Sequence, residues 1–129
     1  MKIQFDRNTI CLLSLFLLIP ILMGGTMSGY ALEQYKSVLK WGSFGMGNSQ
    51  FERPHDVAFD SKGNVYVSGR DNNNIQKFTH NGTFILKWGT KGSGDGQFKI
   101  PYSIGIDPSD HVFVVDRENS RIQEFDDNG

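Results

Sequence analysis

A stretch of about 44 residues occurs twice in this chain, about 47 residues apart and without a gap, inside the roughly 20–50 residue spacing that marks stacked repeats. The first copy runs from Leu39 to Gly82 and the second from Leu86 to Gly129. Trp41 pairs with Trp88, Phe51 with Phe98, Pro54 with Pro101, Asp60 with Asp107, Arg70 with Arg117 and Phe78 with Phe125. A unit of this size cannot bury its own apolar faces and needs neighbours. The repeat therefore restricts the architecture before any single residue is considered.

Within each copy, short alternating runs are separated by turn residues. His55 to Phe59 alternates, and Ser61-Lys62-Gly63-Asn64 follows as a turn. Val65-Tyr66-Val67 is β-branched and aromatic, Ile75 to Phe78 alternates again, and Asn81-Gly82 suits a tight hairpin before Thr83 to Trp88. Helical periodicity is absent after residue 32. The pattern predicts an all-β chain with four short strands per repeat, the make-up of one propeller blade. Trp41 and Trp88 read as packing between blades.

These residues resemble the NHL repeat. The second copy supplies Gly94-Asp95-Gly96-Gln97-Phe98, Pro101, Asp107, Val112 to Asp116, Asn119 and Arg121-Ile122-Gln123-Glu124-Phe125. The first supplies Gln50-Phe51, Pro54, Asp60, Gly63-Asn64, Val65 to Val67 and Ile75 to Phe78. It departs at Gly69, where the pattern has Asp, and at Asn74, where it has Arg. The resemblance implies NHL-type β-propeller blades, in a family whose rings commonly close at six. Residues 32–129 then form a partial propeller, with repeats over 39–85 and 86–129, and Tyr35 to Trp41 as the outer strand of a third blade. On this reading the chain is a fragment of a six-bladed propeller; assembly of short chains into a ring is the second reading.

Residues 1–31 differ in character. Lys2 and Arg7 precede an apolar run from Ile10 to Met23, and Gly29-Tyr30-Ala31 has the small-x-small form of a cleavage site. This reads as a secretory signal cleaved after Ala31, or else as a membrane anchor through residues 10–32, since the uncharged stretch is long enough to span a bilayer. The chain is then secreted, cell-surface or otherwise extracytoplasmic. The one cysteine, Cys11, lies in this segment, which leaves the repeats without a disulfide. Asn81-Gly82-Thr83 is a glycosylation acceptor pattern at Asn81, on residues that a hairpin turn also explains. The net charge of −1 shows no basic stripe, so nucleic acid is not an expected partner.

His55, directly after Pro54, is the candidate metal ligand. It starts the innermost strand of a blade, the edge that lines a propeller's channel. The position resembles that of the zinc-binding histidines in peptidyl-hydroxyglycine amidating lyases, which are built from related repeats. Asp116-Arg117-Glu118-Asn119 matches a stretch of the same enzymes. The second copy, however, has Tyr102 where a second histidine would stand, and His80 and His111 fall in turns. A catalytic zinc takes about three protein ligands, so no cofactor is expected of these residues alone, and zinc enters only if further repeats complete the site. Arg70, Tyr102 and Arg117 are the candidate ligand-binding residues. The function that follows is a non-enzymatic scaffold binding protein, peptide or glycan at the propeller face. The alternatives are a zinc-dependent amidating lyase and the sensor domain of a membrane-anchored protein.

Overall fold

A computed structural model describes residues 36–129. The expected signal or anchor over residues 1–31, Cys11 and the cleavage point before Leu32 lie outside the described residues. No α-helix occurs among the described residues, which carry eleven short strands and one 3-10 turn, Arg117–Asn119. Two sheets hold the fold. The first is antiparallel and four-stranded, with β3 (Pro54–Phe59), β4 (Val65–Gly69), β5 (Asn74–Phe78) and β6 (Phe84–Trp88) in chain order. The second is three-stranded, with β9 (Pro101–Ile106), β10 (Val112–Asp116) and β11 (Arg121–Phe125), again in chain order. Each is preceded by a short parallel pair: β1 (Ser43–Phe44) with β2 (Gln50–Phe51), and β7 (Thr90–Lys91) with β8 (Gln97–Phe98). The repeat is thus a structural repeat, position for position.

Of the segment expected as the outer strand of a third blade, Lys36–Trp41 are exposed and pair with nothing among the described residues. A strand exists only through its ladder, and no described sheet offers this segment an edge within its own copy. The second sheet has three strands among the described residues, β9 to β11. The Asn81-Gly82 hairpin forms as expected. Gly82 takes φ +83°, Thr79 N–H donates to Thr83 O and Gly82 N–H to Thr79 O, both at 2.9 Å, and Thr83 N–H donates to Thr79 Oγ1 at 3.1 Å.

Alternation along the strands directs one face of each sheet into a common core. Tyr66 and Ile75 of the first sheet pack with Phe98, Ile104, Val112 and Val114 of the second repeat, and Ala58, Trp88, Ile106 and Phe125 flank them. Trp88 ends β6 yet packs across the joint, edge-on to Tyr66 at 6.2 Å and tilted on Phe125 at 5.7 Å. A conserved-in-register device ties each loop to its sheet. Gln76 accepts from Ser49 N and donates to Gln50 O, and Gln123 accepts from Gly96 N and donates to Gln97 O, all at 2.8–2.9 Å.

One polar network closes the joint at one end, and a second is buried within the second repeat. Asp60 accepts from Asn64 and Lys62 backbone N–H, Asn64 Nδ2 and the Tyr66 hydroxyl. Lys77, buried over the Tyr66 ring, lies 3.7 Å from Asp60 and donates to Asp127 O of the second repeat at 2.7 Å. Burial pushes the Asp60 carboxyl up, but the hydrogen bonds from Asn64, Tyr66 and Lys62 outweigh it and hold the group below its ordinary value. Asp116 is balanced the same way, burial opposed by Asn119, Lys99 N–H and Arg121.

Truncating the fully buried Phe98 (Phe98→Ala) should cost about 3–5 kcal/mol in denaturant unfolding, the usual range for an aromatic lost from a core. Both buried carboxylates have folded pKa values below the unfolded ones, so their stabilisation is complete above roughly pH 4–5 and is lost as pH falls through the folded values. Thermal melts from pH 7 to pH 2 should show this acid limb, and Asp60→Asn should both lower the neutral-pH melting temperature and flatten the limb.

Candidate functional site

The first strands of the two sheets, β3 and β9, lie side by side. Asp56 Oδ2 accepts from Ile104 N at 2.8 Å, and Ser68 Oγ donates to Tyr102 O at 3.0 Å while accepting from Asp56 N. At the start of each strand the proline fixes the chain direction, and the residue after it projects at the exposed edge. These are His55 and Tyr102, repeat equivalents, and their rings lie over one another, tilted by 36°, with centroids 3.5 Å apart. His55 Nδ1 lies 3.1 Å from Tyr102 O, so it donates when the ring carries its proton on that nitrogen. The Arg117 guanidinium sits 5.5 Å from the Tyr102 ring centroid, an exposed cation–π contact worth about 0.5–1 kcal/mol. Of the sequence candidates, His55, Tyr102 and Arg117 are therefore gathered into one column. An open hollow of about 260 Å³ beside it is lined by Pro54, His55, Asp56, Val57 and Val67.

Arg70 is not part of this column, although it is the repeat equivalent of Arg117. Its Nε lies 3.5 Å from Asp71 Oδ1, a charge contact without the alignment of a hydrogen bond. It lines a separate cleft of about 370 Å³ with Asp71, Asn73, Lys91, Lys99 and Glu118. This is the larger opening, and its lining includes none of His55, Tyr102 and Arg117. Sequence reasoning missed Lys91 and Lys99, which sit around a glycine-rich loop whose fold over the neighbouring repeat is invisible in linear order. Asn81 is exposed in the β5–β6 turn, where its side-chain oxygen accepts from Thr79 and Thr83 hydroxyls.

The Asp-Arg-Glu-Asn stretch divides its roles. Asp116 is fully buried and accepts from Lys99 N–H at 2.8 Å, Asn119 at 2.7 Å and Arg121 Nε at 3.0 Å. Asn119 also donates to Gly92 O. Only Arg117 and Glu118 of the stretch are exposed. In the first repeat Gly69 and Asn74 replace the Asp–Arg pair, and Asn72 takes over. It accepts from Glu52 N–H at 2.6 Å, the equivalent of the Lys99 N–H, and donates to Gly45 O. A side chain at Gly69 would place its Cβ 2.9 Å from that of Asn72. His111 has a partner of its own: Asp107, bonded at 2.9 Å, raises the imidazole above its ordinary value.

Zinc requires about three converging donors. Among the described residues no group of three or more His, Cys, Asp or Glu is placed to hold a metal. His55 meets an aromatic ring, not a second imidazole, so these residues do not by themselves fit a zinc site.

Two stacked antiparallel sheets, each entered through a parallel strand pair and presenting its first strand at one shared edge, are consecutive blades of a β-propeller. The model of the NHL repeat matches the chain twice, at residues 51–78 and 98–125. The chain belongs to the NHL-repeat family. No curated protein matches it significantly.

Titrating the purified chain with zinc should give weak binding only, with a dissociation constant above about 1 μM, and His55→Ala should leave it unchanged. Calorimetry at pH 7 is the check.

Proposed function

We propose that this chain is an exported, non-enzymatic interaction module that takes a peptide, protein segment or glycan at the exposed edge where its first strands meet. The observation that supports the reading is the His55–Tyr102 stack with Arg117 over it. Aromatic faces and a guanidinium are sequence-tolerant recognition groups: they offer apolar area at small entropic cost and a planar donor fork for carboxylates or hydroxyls. His55 and Tyr102 come from different repeats, so the surface exists only where two blades are joined. Export rests on Lys2, Arg7, the apolar run from Ile10 to Met23 and Gly29-Tyr30-Ala31.

Selection from a random peptide display library tests the first part. Selected peptides should lose at least tenfold in affinity on Tyr102→Ala or Arg117→Ala, with the thermal melt unchanged. Peptides that bind those variants equally well, or turnover of a peptidyl-hydroxyglycine substrate, would sink the reading. Export is checked by terminal sequencing of secreted protein, which should begin at Leu32; membrane-bound material beginning at Met1 or Lys2 would replace the cleaved signal by an anchor.

A further inference from the structure

The cleft beside Arg70 is built across the joint between the two blades. Arg70, Asp71 and Asn73 come from the β4–β5 turn of the first repeat. Lys91 of β7, Lys99 and Ile100 ahead of β9, and Glu118 of the 3-10 turn come from the second. Every wall belongs to the two repeats themselves, so the cleft does not depend on what covers their outward faces. Asn73 fastens its two sides together, since its Oδ1 accepts from Ile100 N–H at 3.3 Å. The Lys99 backbone is held twice, its N–H by Asp116 at 2.8 Å and its carbonyl by Glu118 N–H at 3.1 Å.

Charge in this cleft is unbalanced. Asp71 lies 3.3 Å from Arg53 and 3.5 Å from Arg70, and Glu118 lies 4.0 Å from Arg117. Both lining carboxylates are therefore already shared with a cation outside the lining. Lys91 and Lys99 are exposed, and neither has an ion-pair partner among the described residues. Arg70 Nε is enclosed and donates to nothing among the described residues. The fold does not require the two lysines. At their positions the first repeat carries Phe44, on the matching strand β1, and Glu52, directly after β2. The lysines are additions to the repeat, placed where it opens toward the Arg70 turn.

We propose that this cleft is a second recognition site, for one side-chain carboxylate of an acidic peptide segment. Lys91 and Lys99 supply the charge, and the Arg70 guanidinium offers a planar donor fork that matches a carboxylate. Ile100 gives the methylenes of the incoming side chain an apolar wall. The volume of about 370 Å³ is at the small end of ligand pockets, which suits one side chain. Asp71 and Glu118 set the specificity: they repel a continuous polyanion, such as nucleic acid or a sulfated glycan, yet leave room for one carboxylate between the lysines. A polyanion would also need a basic stripe, which this sequence of net charge −1 lacks. The site shares no lining residue with the His55–Tyr102–Arg117 column and does not rest on it.

The test uses the full 129-residue chain in a non-ionic detergent that shields the apolar residues 10–32. Saturation-transfer NMR compares the binding of acetyl-Gly-Glu-Gly-amide with that of acetyl-Gly-Gln-Gly-amide at low ionic strength. The glutamate peptide should bind at least tenfold tighter, and the preference should shrink as salt is added, because exposed charges are screened. Lys91→Gln with Lys99→Gln, both at exposed positions, should abolish the preference and leave the thermal melt unchanged. Lys36→Gln with Lys87→Gln removes the same charge at exposed positions elsewhere and should keep it. A preference that is absent, that survives loss of Lys91 and Lys99, or that the control pair also removes would overturn the proposal. So would inorganic phosphate binding more tightly than the glutamate peptide, or a preference that Arg117→Gln removes, which would place the acid at the column. The probe carries no aromatic group, so its failure leaves the column reading standing, and failed peptide selection at the column leaves this site standing.

Discussion

An antiparallel sheet of four short strands has two faces and can turn only one toward itself when it twists, so a lone NHL blade is left with apolar area in water on at least one side. The packing of Tyr66 and Ile75 against Phe98, Ile104, Val112 and Val114 answers that constraint here. Burying a side chain of this kind is worth about 1.5–3 kcal/mol, and the six together form the main apolar store of the described residues. Everything else follows from that contact. The stacked rings of His55 and Tyr102 exist because the joint brings β3 beside β9, and the Asp60–Lys77–Asp127 network exists because it brings Lys77 of β5 beside the end of the second repeat.

The hydrogen-bond scaffold shows two solutions to one local problem. The backbone N–H two residues before each blade's proline needs an acceptor once the blades close over it. In the second repeat that acceptor is Asp116, whose buried charge is matched by Arg121. In the first repeat it is the neutral amide of Asn72. The neutral form avoids the cost of desolvating an ion pair, but it leaves Asn74 Oδ1 buried without a hydrogen-bond partner among the described residues.

Much of the fold was legible in the sequence. Offset identity placed Val65–Val67 and Val112–Asp116 as equivalent runs, within the strands Val65–Gly69 and Val112–Asp116, because alternation and β-branching act locally and leave a trace in linear order. The glutamine pair Gln76 and Gln123 was visible as a repeated letter, though not as the tie between loop and sheet. The candidate site was legible in part. His55, Tyr102 and Arg117 stood out individually, yet their stacking depends on the distance between adjacent blades, which no local pattern encodes. Arg70 and Arg117 looked equivalent and are not, since Asp71 follows the first and Glu118 the second, and their neighbours come from different loops. The unpaired state of Lys36–Trp41 was not legible, because a strand is decided by what lies beside it.

The exchange of Asp116 and Arg121 for Gly69 and Asn74 bears on how such a chain can change over time. Duplicated segments invite unequal crossing-over, and a crossover within the few residues between these paired positions would give a hybrid blade holding one member of each pair. One hybrid would bury a carboxylate facing an amide with no guanidinium; the other would aim a guanidinium at a glycine. The first carries an uncompensated buried charge, whose cost is several kcal/mol; the second leaves a part-exposed guanidinium without its carboxylate. A swap between the two blades therefore keeps its charge balance only when the short stretch from Gly69 to Asn74 moves as a block.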